Sequence, residues 1–176
     1  MMQLNNMFQD HAVFQQNVRV PVWGNTEANH KLKCEFAGQT LFTKSSAAGS
    51  FTFRIAPLTA GGPYTLTVTD LTSGEVITLE DILVGEVWLA SGQSNMEYAL
   101  GSNWIVKANR KKTGENLNEI QLKEYTSTIK QPERMRFFQV PRNSEGIPEN
   151  TVGTKWEYVN AKMCTGDILT IHIIEN

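Results

Sequence analysis

The chain has 176 residues, 40% apolar and 19% charged, with a formal net charge of −2. That length supports one or two domains with a real core, and the composition excludes a disordered chain. The near-neutral charge leaves no basic footprint for nucleic acid or an anionic membrane surface, and no apolar run approaches the roughly 20 residues of a bilayer span.

The opening MMQLNNMFQDHAVFQQ has no basic stretch followed by an apolar one. No signal peptide is read there, and the chain is cytoplasmic by default. Short runs then come at regular spacing: Val18–Trp23, Lys31–Ala37, Thr40–Lys44, Phe51–Ala56, Tyr64–Asp70 and Glu75–Leu79. Turn-forming residues separate them: Gly24-Asn25, Gly38-Gln39, Ala48-Gly49-Ser50, Gly61-Gly62-Pro63 and Ser73-Gly74. Alternation is clearest where Tyr64, Leu66 and Val68 share one face and Thr65, Thr67 and Thr69 the other. Strands of this length and spacing predict an antiparallel β-sandwich or small barrel over residues 1–83.

The pattern changes at about residue 83. Leu83, Val84, Val87, Trp88, Leu89 and Ala90 form a nearly continuous apolar segment, as in a strand covered on both faces. The compact polar run Ser91-Gly92-Gln93-Ser94-Asn95 ends it. Met96, Ala99 and Leu100 then fall at i, i+3 and i+4, one face of a helix. Ser94 therefore sits between the carboxyl end of a strand and the amino end of a helix, where nucleophiles of open α/β sheets stand. Free N–H groups at a helix start, with the dipole behind them, favour a developing negative charge. Gly92 allows a sharp turn without a Cβ clash. The same residues also spell an ordinary capping box, with Ser94 bonding a backbone N–H and Glu97 bonding back. The pattern by itself leaves both readings open.

Beyond Gly101 the chain is polar to Pro132, with a short helix expected over Asn116–Leu122. Four basic residues within Lys107–Lys112 read as a solvated face. Arg136–Val140 reads as the next strand, ended by Pro141. A parallel sheet needs more strands and crossovers than this half contains, so missing sequence or loose packing is expected there. Cys34 alternates with Leu32 and Phe36 and reads as a buried, inert thiol. Cys164 has no supported disulfide partner, and His11, His30 and His172 show no metal-ligand spacing with either cysteine. No metal or cofactor is expected. Among the tryptophans, Trp23 and Trp88 read as core, whereas Trp104 in a polar loop reads equally as a surface aromatic for a sugar ring or as a loop anchor.

GEVWLASGQSNME resembles the nucleophile block of the sialate O-acetylesterase family, a branch of the SGNH hydrolases. MFQDHAVFQQNVRVPVWG, KLKCEFAGQ, AGGPYTLTV and LEDILVGEVWLASGQSNME are similar to successive family segments, as are MRFFQVPRN and KWEYVNAK further on. The resemblance runs from about Met7 to about Lys162. It implies a β-sandwich over 1–83, followed over 84–176 by the start of a three-layer SGNH-like α/β domain. It implies Ser94 as catalytic serine, with Gly92, Gln93, Ser94 and Asn95 forming the turn and part of the oxyanion hole. It implies an acetylated sugar, sialic acid or a relative, as substrate. The family includes secreted and periplasmic members.

The family completes its oxyanion hole with a later glycine and asparagine, and takes its base from a later Asp-x-x-His pair. None of these blocks occurs here. From about residue 163 the tail MCTGDILTIHIIEN departs from the family pattern, and Asp167 and His172 are wrongly spaced for that pair. The expectation is therefore a truncated esterase with little activity of its own. The alternative is a non-catalytic β-sandwich that binds sugar or packs against a partner.

Overall fold

The computed structural model describes residues 1–89, 134–138 and 155–158. Among the described residues ten strands occur in chain order: β1 (Gln3–Leu4), β2 (Val13–Gln15), β3 (Val20–Asn25), β4 (Lys31–Phe36), β5 (Gln39–Lys44), β6 (Ser50–Ile55), β7 (Gly61–Asp70), β8 (Val76–Gly85), β9 (Arg136–Phe138) and β10 (Trp156–Tyr158). They make a three-stranded sheet β1-β3-β6, a five-stranded sheet β2-β8-β7-β4-β5 and the pair β10-β9. The described residues contain no α-helix.

Alternation builds the core. On β6, Phe51, Phe53 and Ile55 are buried and Ser50, Thr52 and Arg54 are exposed. On β4, Leu32, Cys34 and Phe36 point inward. Register places Cys34 against Val68 and Phe36 against Leu66 on one side of β4, and Val22 faces Phe53 in the other sheet. Residues of both large sheets join one hydrophobic cluster. Full burial of each such side chain contributes roughly 1.5–3 kcal/mol. Cys34 lies inside that cluster, and burial, with the neighbouring Glu35 carboxylate, pushes its thiol pKa up to about 12. The Cys34 peptide is expected to stay unalkylated by iodoacetamide at pH 8 until urea unfolds the chain, because only the thiolate reacts. Rapid alkylation of the native protein at Cys34 would disprove this.

All six expected strands of the first 83 residues are present; Gly61-Gly62-Pro63, expected as a turn, opens β7 instead, and four further differences stand out. The five-stranded sheet is mixed rather than antiparallel, because β2 runs parallel to β8, with Phe14 opposite Val84. Gly24 and Asn25 close β3 instead of forming a turn. A Cβ on Gly24 would lie 2.2 Å from the Gln3 carbonyl oxygen, so glycine is what lets β1 come alongside. The run that begins at Glu75 does not stop at Leu79, and β8 continues to Gly85 through a bulge. Between the pairs Leu66↔Leu79 and Tyr64↔Ile82, β8 has one residue more than β7. Asp81 there has a φ of 54°, a left-handed conformation that Asp tolerates better than most residues.

The fourth difference concerns the segment expected as a strand covered on both faces. Val84 and Gly85 are buried as the end of β8, but Trp88 and Leu89 are 57% and 76% exposed, so Trp88 is not a core residue. The ladder partners of β8 end at Gly85, and no described strand pairs with residues 86–89. Most of the expected α/β half, including the helix over 116–122 and the basic run 107–112, lies outside the described residues. The expected strand at Arg136 exists, but it pairs antiparallel with β10. Phe138 and Trp156, with ring centroids 5.3 Å apart, join the main core cluster, and Trp156 Nε1 donates to the Met7 carbonyl.

Candidate active site

Residues 86–89, the last described before the block Gly92-Gln93-Ser94-Asn95, follow the end of β8. Gln16 N–H donates to the Gly85 carbonyl as the last backbone link between the two strands. Side chains then take over. Gln15 Oε1 accepts from Val87 N–H at 2.7 Å, while Gln15 Nε2 and Gln16 Nε2 donate to opposite oxygens of Glu86 at 3.2 and 2.6 Å. Gln16 Oε1 accepts from Ala60 N–H, drawing the loop between β6 and β7 into the same set. The two amides hold the Glu86 carboxyl pKa below its usual value. A shallow apolar depression lies alongside, between Phe14, Val18, Phe36 and Leu58, with no enclosed space for even a water molecule. Small-molecule pockets are enclosed clefts of roughly 300 Å³ or more, so this depression offers a sugar no site.

Gly92, Gln93, Ser94 and Asn95 lie outside the described residues, as do Trp104, Cys164, Asp167 and His172. Two histidines are described, and each faces an aspartate through Nδ1. His11 Nδ1 donates to Asp81 Oδ2 at 2.7 Å, and His30 Nδ1 donates to Asp70 Oδ2 at the same distance. A carboxylate on Nδ1 is how a hydrolase orients an imidazole base, but these two pairs are engaged differently. Asp70 is fully buried, accepts from Thr26 Oγ1 on one oxygen, and accepts from the N–H groups of Thr72 and Ser73 on the other. The second ring nitrogen of His30 faces Glu27 at 3.5 Å. That imidazole is held between two carboxylates and ties the loop between β3 and β4 to the end of β7.

Asp81 gathers a second cluster. Its Oδ2 also accepts from Tyr158 OH at 2.6 Å and Arg136 Nη2 at 3.0 Å, and the Arg136 guanidinium lies 3.8 Å from the Tyr158 ring centroid. Burial works to raise the Asp81 pKa, but hydrogen bonds from Tyr158, His11 and Arg136 outweigh it and the carboxyl is held low. The same Tyr158–Asp81 bond, aided by burial, raises the Tyr158 phenol. His11, like Asp81, has a positive φ, of 67°. The cluster joins the β2 approach, the β8 bulge and the β9-β10 pair.

Sequence reasoning missed both His–Asp pairs. Asp70 carries one visible sign, because Asp70-Leu71-Thr72-Ser73-Gly74 has the composition of an Asx turn. Asp81 carries none, since its partners lie 55 to 77 residues away. Trp23 packs edge-on against Phe8 at 4.7 Å, as a core residue should, and Trp156 is buried. Among the described residues no group of three or more His, Cys, Asp and Glu side chains is placed to hold a metal, and no helix is long and apolar enough to cross a membrane.

Against this geometry, comparison with solved structures is informative. The chain is similar to a carbohydrate acetylesterase. That protein, from Xanthomonas citri, shares 28% sequence identity with a TM-score of 0.74, over 96% of this chain and 35% of its own. The chain thus spans about a third of that protein's length. No protein-family profile and no curated protein matches.

Proposed function

We propose that this chain comes from a serine-dependent carbohydrate O-acetylesterase acting on sialic acid or a related acetylated sugar. The observation that carries the reading is the similarity to a carbohydrate acetylesterase along 96% of the chain. The block Gly92-Gln93-Ser94-Asn95 supports it, coming soon after the pinned end of β8. Ser94 Oγ attacks the acetyl carbonyl carbon and gives up its proton to a base. The N–H groups of Ser94 and Asn95 steady the oxyanion, and Gly92 permits the turn. The sugar oxygen leaves with a proton, and water then splits the acetyl-enzyme to acetate. Trp104 is assigned to the sugar face. The mechanism calls on no metal or cofactor. The division near residue 83 into a β unit and an SGNH-like α/β unit, with an unmatched tail from about 163, belongs to the same proposal.

The test uses an alkyl fluorophosphonate on a longer version of the protein that includes a downstream Asp-x-x-His pair. One adduct on the Ser94 peptide is expected, absent in Ser94→Ala. Turnover of p-nitrophenyl acetate by residues 1–176 alone stays near the buffer rate, because no Asp-x-x-His occurs among them. An adduct that survives Ser94→Ala removes Ser94 from its role. No adduct, together with calorimetric binding of sialic acid by the same polypeptide, replaces the esterase with the sugar-binding module.

A further inference from the structure

We infer that the outer face of the five-stranded sheet, around Phe42, Lys31 and Lys44, binds an acidic sugar by its carboxylate and by one C–H face of its ring. The inference rests on the acidic-sugar part of the proposed function and does not involve Ser94. Because Leu32, Cys34 and Phe36 of β4 point into the core, Lys31, Lys33 and Glu35 lie on the outside. Register sets Lys44 opposite Lys31 and Phe42 opposite Lys33, on that same outer face. Like charges directly opposite on neighbouring strands destabilise a sheet. Lys33 is answered by Glu35 at 2.8 Å, but among the described residues neither Lys31 nor Lys44 has an ion pair. Both are exposed. The pair is a local excess of positive charge on a chain whose net charge is −2.

Phe42 stands two residues from Lys44 along β5, which separates their Cα atoms by roughly 6.8 Å on one face. Its ring is 69% exposed and adds nothing to the core. Leu71, whose N–H donates to the Lys31 carbonyl, is exposed as well and carries apolar surface past the lysine pair. A bare ring one step from two unanswered ammonium groups matches a ligand that carries an apolar face and an anion side by side. A pyranose bearing a carboxylate is such a ligand, its C–H face on the phenyl ring and its carboxylate between the lysines. A neutral sugar would leave the lysines unanswered. A second copy related by a two-fold axis through the patch would set lysines against lysines. Two free lysines also fall short of the roughly four to eight basic residues with which proteins recognise anionic lipid.

The test titrates residues 1–176 with the methyl α-glycoside of sialic acid, which has the carboxylate but no O-acetyl ester, and follows backbone amide shifts by NMR at low salt. Saturable shifts confined to the neighbourhood of residues 31–33 and 42–44 are expected. Lys31→Gln with Lys44→Gln weakens binding about tenfold and Phe42→Ala about fivefold, the worth of two exposed ion pairs and one ring contact. The three side chains are exposed, so the variants fold. The urea midpoint of the double variant does not fall, because a cross-strand repulsion is removed. Arg54→Gln, on the exposed side of β6, leaves binding unchanged. Methyl glucoside and acetate, each with half of the recognised chemistry, give no saturable shift. No saturable shift with the sialoside, or binding indifferent to the lysine and phenylalanine variants, overturns the inference. Sedimentation of the chain with phosphatidylserine vesicles, lost in the double lysine variant, would assign the face to a membrane and also overturn it. Binding that survives these variants but is lost in Ser94→Ala places the sugar at the serine block, overturning the inference while keeping the esterase reading. Saturation on this face with no fluorophosphonate adduct in the longer protein does the reverse.

Discussion

Asp70→Ala is expected to lower the stability of the protein by about 3 kcal/mol, the range for emptying a buried, fully bonded carboxylate site. The carboxylate has no solvent exposure and accepts four hydrogen bonds, from Thr26, His30, Thr72 and Ser73. Alanine leaves those four donors without their acceptor at the junction of β7 with the loop before β4. Burial alone would raise the Asp70 pKa, but the bonds from His30, Ser73, Thr72 and Thr26 overcome it and hold the carboxyl far below its ordinary range. A pKa lower in the folded than in the unfolded chain means the folded state binds the proton less well. The stability Asp70 adds is therefore full above the unfolded value of about 4 and is lost as pH falls below it. Urea midpoints between pH 2.5 and 7 give the measurement. Asp70→Asn, which keeps the shape but cannot ionise, should show a visibly flatter acid limb. A limb parallel to that of the unaltered chain would mean that Asp70 is not coupled to folding in this way.

Asp81→Ala is expected to release the β9-β10 pair while leaving the main core folded. Three donors from three parts of the chain converge on one oxygen of Asp81, and the Arg136 side chain among them is only 3% exposed. Removing the carboxylate takes a countercharge from a buried guanidinium, for which a loss of about 2 kcal/mol is reasonable given the partial exposure of Asp81 itself. The location of the effect is the sharper prediction. Hydrogen exchange should accelerate at residues 136–138 and 156–158, whereas β4 and β7 keep their protection. The Asp81 pKa is also lowered in the folded chain, so this tie too is complete above about pH 4 and weakens below it. Uniform acceleration across all strands would make Asp81 part of the global fold rather than a local fastening.

The six main strands of the first 83 residues are legible because alternation is a property of the local chain. Phe51, Phe53 and Ile55 on β6, or Leu66 and Val68 on β7, point one way whatever they pack against. The strands that escape notice, β1, β2 and β10, are two or three residues long, too short to show a period. The end of β8 misleads because Glu80-Asp81 breaks the alternation as a turn would. In the fold the extra residue is absorbed by a left-handed bulge, and pairing resumes at Ile82. Trp88 reads as core from its apolar neighbours, but an apolar run is covered only as far as partner strands reach.

The proposed serine block is read from consecutive residues alone and lies outside the described residues. The grouping of Gln15, Gln16 and Glu86 is not readable from the chain. Three polar side chains, the glutamate about 70 positions from the glutamines, become one clamp only when β2 lies parallel to β8. The sequence by itself determined the strand faces and the burial of Cys34, because each depends on neighbours one to four residues away. Tertiary structure alone decided the parallel pairing of β2, the aspartate partners of His11 and His30, and the docking of Trp156 against Met7. Those depend on which distant segments pack together, and the cost of closing such loops is repaid only when the whole core forms.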